Sequence, residues 1–181
     1  MKKFNLLTIA TVFAFLAFSG WAEDKKAERA ELEGDATASI KAFKKADPGL
    51  TAIFEKAAGY AVFPNVGKGG FVIGGAHGNG IVWEGGKLVG YASMTQVTVG
   101  AQIGGQEFSE VIFFETKEAL TNFKASGFAM SAQVGAVAAA EGASKNAKYI
   151  EGVMVFTKAK QGLMAEASVG GQKFKFEPVE K

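Results

Sequence analysis

Apolar residues recur along this chain at two different periods, and the change of period divides it. Between Glu23 and Asp47 charges alternate densely, while Leu32, Ala36, Ile40 and Phe43 return at spacings of four, four and three. That spacing puts them on one face of a helix. Gly34 weakens its middle, and Pro48-Gly49 ends it. Leu50, Ile53, Phe54 and Ala57 predict a second, short amphipathic helix stopping at Gly59. From Tyr60 to Gln106 only Lys68, Glu84 and Lys87 are charged, and β-branched and aromatic residues stand in short runs between glycines. This is the texture of strands.

Turns and caps place the remaining elements. Gly85-Gly86 separates two apolar runs, and two glycines accept the positive φ angles of a two-residue hairpin; Glu84 and Lys87 then face each other across it. Gly170-Gly171 repeats the device between residues 164–169 and 172–176, where Lys173 and Lys175 alternate with Phe174 and Phe176 as in a strand with one wet face. Residues 111–114 read as a buried strand. Thr116 caps a helix over 117–124, with Glu118 in its first turn to suit the dipole. Residues 128–138 fit either period, 142–148 form a polar loop, and 150–158 form another strand. The prediction is an α+β fold: an antiparallel β core, barrel-like or sandwich, with two N-terminal helices and one short internal helix.

The N-terminal residues bear on location. Met1-Lys2-Lys3 is basic, residues 4–19 are almost all apolar, and the small residues Gly20 and Ala22 bracket Trp21 just before a charged stretch. Basic, apolar and small segments in that order make a secretory signal peptide, and the run falls short of the ~20 residues of a membrane-spanning helix. Cleavage is expected after Ala22, giving an exported, periplasmic protein of one domain, residues 23–181, with scope for peripheral membrane association. The chain has 20 basic and 18 acidic residues. Loss of Lys2 and Lys3 makes the two counts equal, so no basic field exists to attract nucleic acid. Without cysteine, the expected fold has no disulfide and stands on its core alone.

Catalytic readings fare poorly on inventory, and neither a cofactor nor a metal is expected. His77 is the sole histidine, too few for a histidine-rich zinc site. A Ser-His-Asp triad has only Asp24, Asp35 and Asp47 to draw on, all in the N-terminal helical region. Glu107 with Glu110, or Glu115 with Glu118, offers a carboxylate pair, but glutamates at strand edges and helix starts are expected at the solvated surface. His77 reads as a polar residue near a turn. Gly67-Lys68-Gly69-Gly70 has neither the spacing of a phosphate-binding P-loop nor that of a dinucleotide fingerprint. Two readings of it stay open: a turn entering a strand, or a nest of N–H groups for an anion.

The stretches Tyr60-Ala-Val-Phe-Pro64, Gly67-Lys-Gly-Gly-Phe-Val-Ile-Gly-Gly75, Gly78-Asn-Gly80, Val89-Gly-Tyr91 and Val99-Gly-Ala-Gln-Ile-Gly-Gly105 together resemble a SYLF domain, also called the Las17-binding or actin-regulator family. Val111-Ile-Phe-Phe114, Glu118-Ala-Leu120, Gly162-Leu163 and residues 165–170 continue the likeness in order, over about residues 40–177. The resemblance implies a non-enzymatic lipid-binding module, in which eukaryotic members are associated with phosphoinositides and some fungal ones with actin filaments. An exported chain of bacterial appearance, carrying no SH3 or FYVE domain, meets neither of those ligands. Lys41, Phe43, Lys44 and Lys45 are then the expected contacts to phospholipid head groups, with Gly67, Lys68, Gly69 and Gly70 as a second contact. The alternatives are an envelope protein that docks a protein partner or its own copies without lipid specificity, and a hydrolase built on His77.

Overall fold

The computed structural model describes residues 7–70, 73–99, 105–125, 127–161 and 169–179. Helix α1 (Leu7–Ala46) is followed by α2 (Leu50–Lys56), four long strands β1 (Gly59–Gly70), β2 (Ile73–Glu84), β3 (Lys87–Val99) and β4 (Gln106–Phe114), then α3 (Lys117–Lys124), β5 (Ala136–Ala138), β6 (Val153–Gln161) and β7 (Lys173–Pro178). The strands form one sheet in the order β5-β6-β4-β1-β2-β3-β7. All described pairings are antiparallel except β5 with β6. The fold is thus the expected α+β class, with a sheet that is not closed into a barrel.

The sheet curls strongly. Phe63 of β1 and Phe174 of β7 lie 5.6 Å apart between ring centroids, although β2 and β3 separate their strands in the sheet. Gly80 and Gly90 permit close approach on its two neighbouring strands. A Cβ at Gly80 would lie 2.6 Å from the Phe63 ring, and one at Gly90 would collide with Phe176. Segment 127–135 spans the gap between the outer strands. It bonds β7 through Met130 N–H to the Gln172 carbonyl (2.8 Å) and Phe174 N–H to the Phe128 carbonyl (2.9 Å), then leads into β5 against β6.

Each face of the sheet buries its own core. The inner face gathers Phe63, Val66, Met94, Phe108, Ile112, Phe114 and Phe174, plugged by Leu120 and Phe123 of α3. The outer face carries Val62, Ile81, Val111, Phe113 and Phe156 against Ala36, Phe43, Leu50 and Phe54 of the helices. Strand alternation explains the division, since successive side chains on β4 point to opposite faces. Burying each face under helices removes it from water at ~25 cal/mol per Å² of apolar area.

Several local expectations hold and others move. Gly85 and Gly86 have φ of 57° and 77°, and Glu84 pairs with Lys87 in register, although the Glu84 carboxylate bonds Lys124 at 2.9 Å instead. Thr116 caps α3, accepting the Ala119 N–H at 3.1 Å. Lys173 and Lys175 are exposed beside buried Phe174. β7 pairs with β3; residues 162–168, which hold most of the run expected before the second double-glycine, lie outside the described residues, as do Met1–Leu6, Phe71, Val72 and 100–104. The first helix is longer than its amphipathic stripe and passes straight through Gly34 and the Ala22–Glu23 bond. Among the described residues, no helix is long and apolar enough to cross a membrane.

Candidate functional site

The last three turns of α1 are built as a platform. Ala36 and Phe43 are fully buried, and half-buried Ile40 packs on the same outer core. Below them, Asp47 follows the helix end and ties three segments together. Its carboxylate accepts the Gly49 N–H at 3.0 Å and the Ser144 N–H at 2.7 Å, locking the α1–α2 junction to the 3₁₀ turn Ala143–Lys145. Burial alone would raise this carboxyl, but the Ser144 amide and hydroxyl with the Gly49 and Gly142 amides hold it below the ordinary aspartate value.

On that platform the charge is one-signed. Lys41 and Lys45 are exposed one helical turn apart, and the Lys44 ammonium sits 5.1 Å from the Phe54 ring centroid, a cation–π contact. At 100° per residue the three lysines span an arc of roughly 100°, so they share one side of the helix. No acidic residue occurs between Ala36 and Ala46, whereas residues 23–35 hold six carboxylates against three basic groups. Exposed Lys56 ends α2, and exposed Lys145 and Lys148 belong to the turn that Asp47 fastens and the loop after it. The sequence reading missed Lys145, because only folding brings its turn, about a hundred positions on, to the end of α1 through the Asp47–Ser144 bond.

Two parts of the predicted site are corrected. Phe43 is 0% exposed and serves packing; it cannot meet a lipid while the fold is intact. Gly67, Lys68, Gly69 and Gly70 lie inside strand β1 rather than in a turn, paired with His77, Ala76, Gly75 and Gly74 of β2. Gly67 and Lys68 also pair with Glu107 and Gln106 of β4. Backbone groups engaged in an extended ladder are not free to cradle an anion, which needs successive N–H groups turned the same way. These residues stand in strand β1, apart from the lysines at the end of α1.

The other end of α1 is held differently. A groove of about 600 Å³ separates residues 25–35 from the outer face of β1, β2, β3 and β7. Polar ties cross it: Arg29 bonds Glu177 at 2.7 Å and lies 4.4 Å from the Tyr91 ring centroid, and Lys25 bonds Glu177 at 3.1 Å. The Tyr91 hydroxyl donates to Glu33 at 2.9 Å, and Asn65 donates to Asp35 at 2.7 Å. The Lys25 hydrogen bond, with the charges of Lys25 and Arg29, holds Glu177 below the ordinary range despite its burial cost. His77 lines this groove from the middle of β2 and is exposed, not placed at a turn.

Glutamates 107 and 110 do not form a pair. Glu107 sits on the outer face, 4.0 Å from Lys160, while Glu110 is fully buried on the inner face. The surface placement expected for Glu110 is therefore wrong. Its carboxyl is pushed up to about 7 by burial, with the Gln172 hydrogen bond pulling weakly the other way. The missed signal was period two, since Phe108, Glu110, Ile112 and Phe114 occupy alternate positions of one strand.

Comparison with known proteins falls in line with this arrangement. A family model described as "Ysc84: Las17-binding protein actin regulator" matches residues 95–178. "Beta cell expansion factor A" of Aeromonas veronii is 33% identical over 140 residues, covering 76% of this chain and 52% of that protein. Residues 95–178 thus match the SYLF (Ysc84) family, in agreement with the resemblance carried by the glycine-rich stretches. It spans about half the length of the curated relative it matches.

Proposed function

We propose that this is a non-enzymatic, peripheral lipid-binding protein of the cell envelope, exported through a signal peptide cleaved after Ala22 and docking on anionic phospholipid head groups. The observation that carries the reading is the one-signed arc of Lys41, Lys44 and Lys45 on a rigid helix end. Exposed Lys145 adds a cation in the turn that Asp47 ties to the helix end. Lysine near an anionic membrane contributes ~1 kcal/mol per residue and is screened by salt. The match to a family associated with lipid binding supports the same ligand class. In this reading Phe43 acts from beneath, fixing the lysines in place, and no acyl chain is inserted.

The test is sedimentation of the purified protein with vesicles. Binding is expected to phosphatidylglycerol-containing vesicles and not to pure phosphatidylcholine, falling as salt rises. Replacing Lys41, Lys44 and Lys45 together with glutamine weakens partition by roughly two orders of magnitude at ~1 kcal/mol each. Equal binding to both vesicle types, or a triple variant that binds as well as the parent, rejects the reading.

The family description names a protein ligand for the family, and this favours one second reading, a protein-docking module. Its signature is a stable complex or self-association by light scattering without lipid, unchanged when vesicles are added. The His77 hydrolase reading is weaker: Asp35 and Ser93 line the same open groove as exposed His77, but the Asp35 carboxylate is bonded by Asn65 instead.

A further inference from the structure

The inner core contains one polar pair with unusual bookkeeping. Glu110 of β4 and Gln172, just before β7, are both 0% exposed. Gln172 Nε2 donates to Glu110 Oε2 at 2.9 Å, while Glu110 Oε1 and Gln172 Oε1 are buried without a hydrogen-bond partner. A buried oxygen left without a donor is costly, and an ionised carboxylate in apolar surroundings costs more. Both orphaned oxygens are acceptors, so a single proton between them satisfies both. A carboxylic acid and a primary amide have complementary edges for this: the acid O–H donates to the amide oxygen as the amide N–H donates to the acid carbonyl.

We propose that Glu110 and Gln172 form a proton-dependent clasp. With its proton on Oε1, Glu110 bonds Gln172 through both edges and fastens the β7 margin across the inner core to β4. Release of that proton to water leaves a carboxylate facing an amide oxygen, and the seam loosens.

The position of the pair makes its state consequential. Glu110 pairs in register with Phe63 of β1 and Thr157 of β6, at the middle of the sheet, whereas Gln172 adjoins its outermost strand. The Gln172 carbonyl accepts the Met130 N–H, and the Gly171 and Phe174 N–H groups bond Met130 and Phe128. The clasp therefore sits where segment 127–135 meets β7. Around it stand Phe108, Ile112, Phe63, Phe174 and Met130. No charged group answers the carboxyl among the described residues. Lys173 and Lys175 of β7 are exposed on the other face, Lys158 of β6 pairs with outward Ser109, and Lys124 of α3 is bonded to Glu84. His77 of β2 is exposed. Lys68 of β1 shares the inner side, opposite Ala76 and Gln106, beyond Val66 toward the end of the strand. It is not among the causes acting on Glu110, which are burial and Gln172.

Hydrogen–deuterium exchange of the purified protein at pH 5 and pH 8, corrected for intrinsic rates, tests the clasp. Protection of the Met130, Gly171 and Phe174 amides is expected to fall at least tenfold at the higher pH, while amides at the α1–α2 junction keep theirs. In Glu110→Gln, where an amide supplies the second donor permanently, seam protection stays level between the two pH values. Seam protection that is unchanged with pH in the parent, or that falls equally in Glu110→Gln, overturns the proposal. Titration of the side-chain carboxyl of Glu110 by carbon NMR in the parent protein gives an independent answer: a midpoint near 7 supports the clasp, and one near the ordinary 4.5 rejects it.

Discussion

Asp47 and Glu110 are two carboxyl groups taken out of water by the same fold, and they end in opposite states. Asp47 is 1% exposed at the helix junction, Glu110 0% in the inner core. Both pay the cost of burial. Around Asp47 the chain turns sharply, so amide N–H groups of Gly49 and Ser144 point at the carboxylate. Around Glu110 the backbone N–H groups of β1, β4 and β6 are spent in the strand ladder and those of Met130, Gly171 and Gln172 on carbonyls, and one side-chain amide is left to help. The carboxyl at the turn is held below its ordinary value, and the carboxyl in the sheet is pushed to about 7. Low solvent exposure alone does not decide the charge of an acid: Glu110 lies deep in the inner core with one donor, whereas Asp47 lies beneath a surface turn whose amides hold it ionised.

The difference can be stressed in order of expected effect. Phe43→Ala removes a fully buried ring beneath the lysine platform and is expected to cost ~3–5 kcal/mol of stability by denaturant titration. It should also release the Asp47 junction, whereas leaving the junction amides protected would separate the helix packing from the turn. Glu110→Gln comes next. Between the ordinary 4.5 and about 7 the folded state keeps a proton that the unfolded state releases. Stability is therefore full below 4.5, declines at ~1.4 kcal/mol per pH unit, and levels off above about 7. Glutamine removes that decline, so urea midpoints at pH 8 should favour the variant by roughly 3 kcal/mol. A loss of stability at pH 8 would contradict the buried-acid account.

Asp47→Asn should act with the reverse sign. The parent gains stability above the ordinary aspartate value of 3.8 and loses it as pH falls through the lower folded one. The variant is expected to be ~1–3 kcal/mol less stable at pH 7 and less sensitive to acid, measured by thermal unfolding at pH 3 and pH 7. Smallest is Lys124→Ala, which breaks the 2.9 Å pair with Glu84. This half-exposed pair should contribute ~1 kcal/mol or less and fade with salt; a larger effect would mean that α3 is fastened by charge rather than by Leu120 and Phe123.

Much of the fold was legible in the residues. The stripe of Leu32, Ala36, Ile40 and Phe43 marked a helix face, and burial of Ala36 and Phe43 confirms which way it points. Thr116 and Gly85-Gly86 marked a helix start and a hairpin for reasons internal to a few residues. The glycine-rich middle misled. Its glycines read as breaks between short runs, yet three strands of twelve, twelve and thirteen residues pass through them. At Gly80 and Gly90 the missing side chain makes room for a ring from another part of the chain, and nothing local announces that. Of the candidate site, the exposed lysine arc on α1 was legible in the sequence, whereas the burial of Phe43 and the extended pairing of Gly67–Gly70 were not.

What the chain alone fixed was the set of local commitments: where helices begin and stop, which residues alternate, and how the charges are strung along α1. Those depend on backbone geometry and on neighbours three or four positions away. Tertiary structure alone decided that Asp47 would find Ser144, that Gln172 would reach Glu110, and that β7 would pair with β3. Such meetings join residues tens of positions apart, where the gain from burying two faces of one curled sheet chooses among pairings that local pattern leaves equivalent.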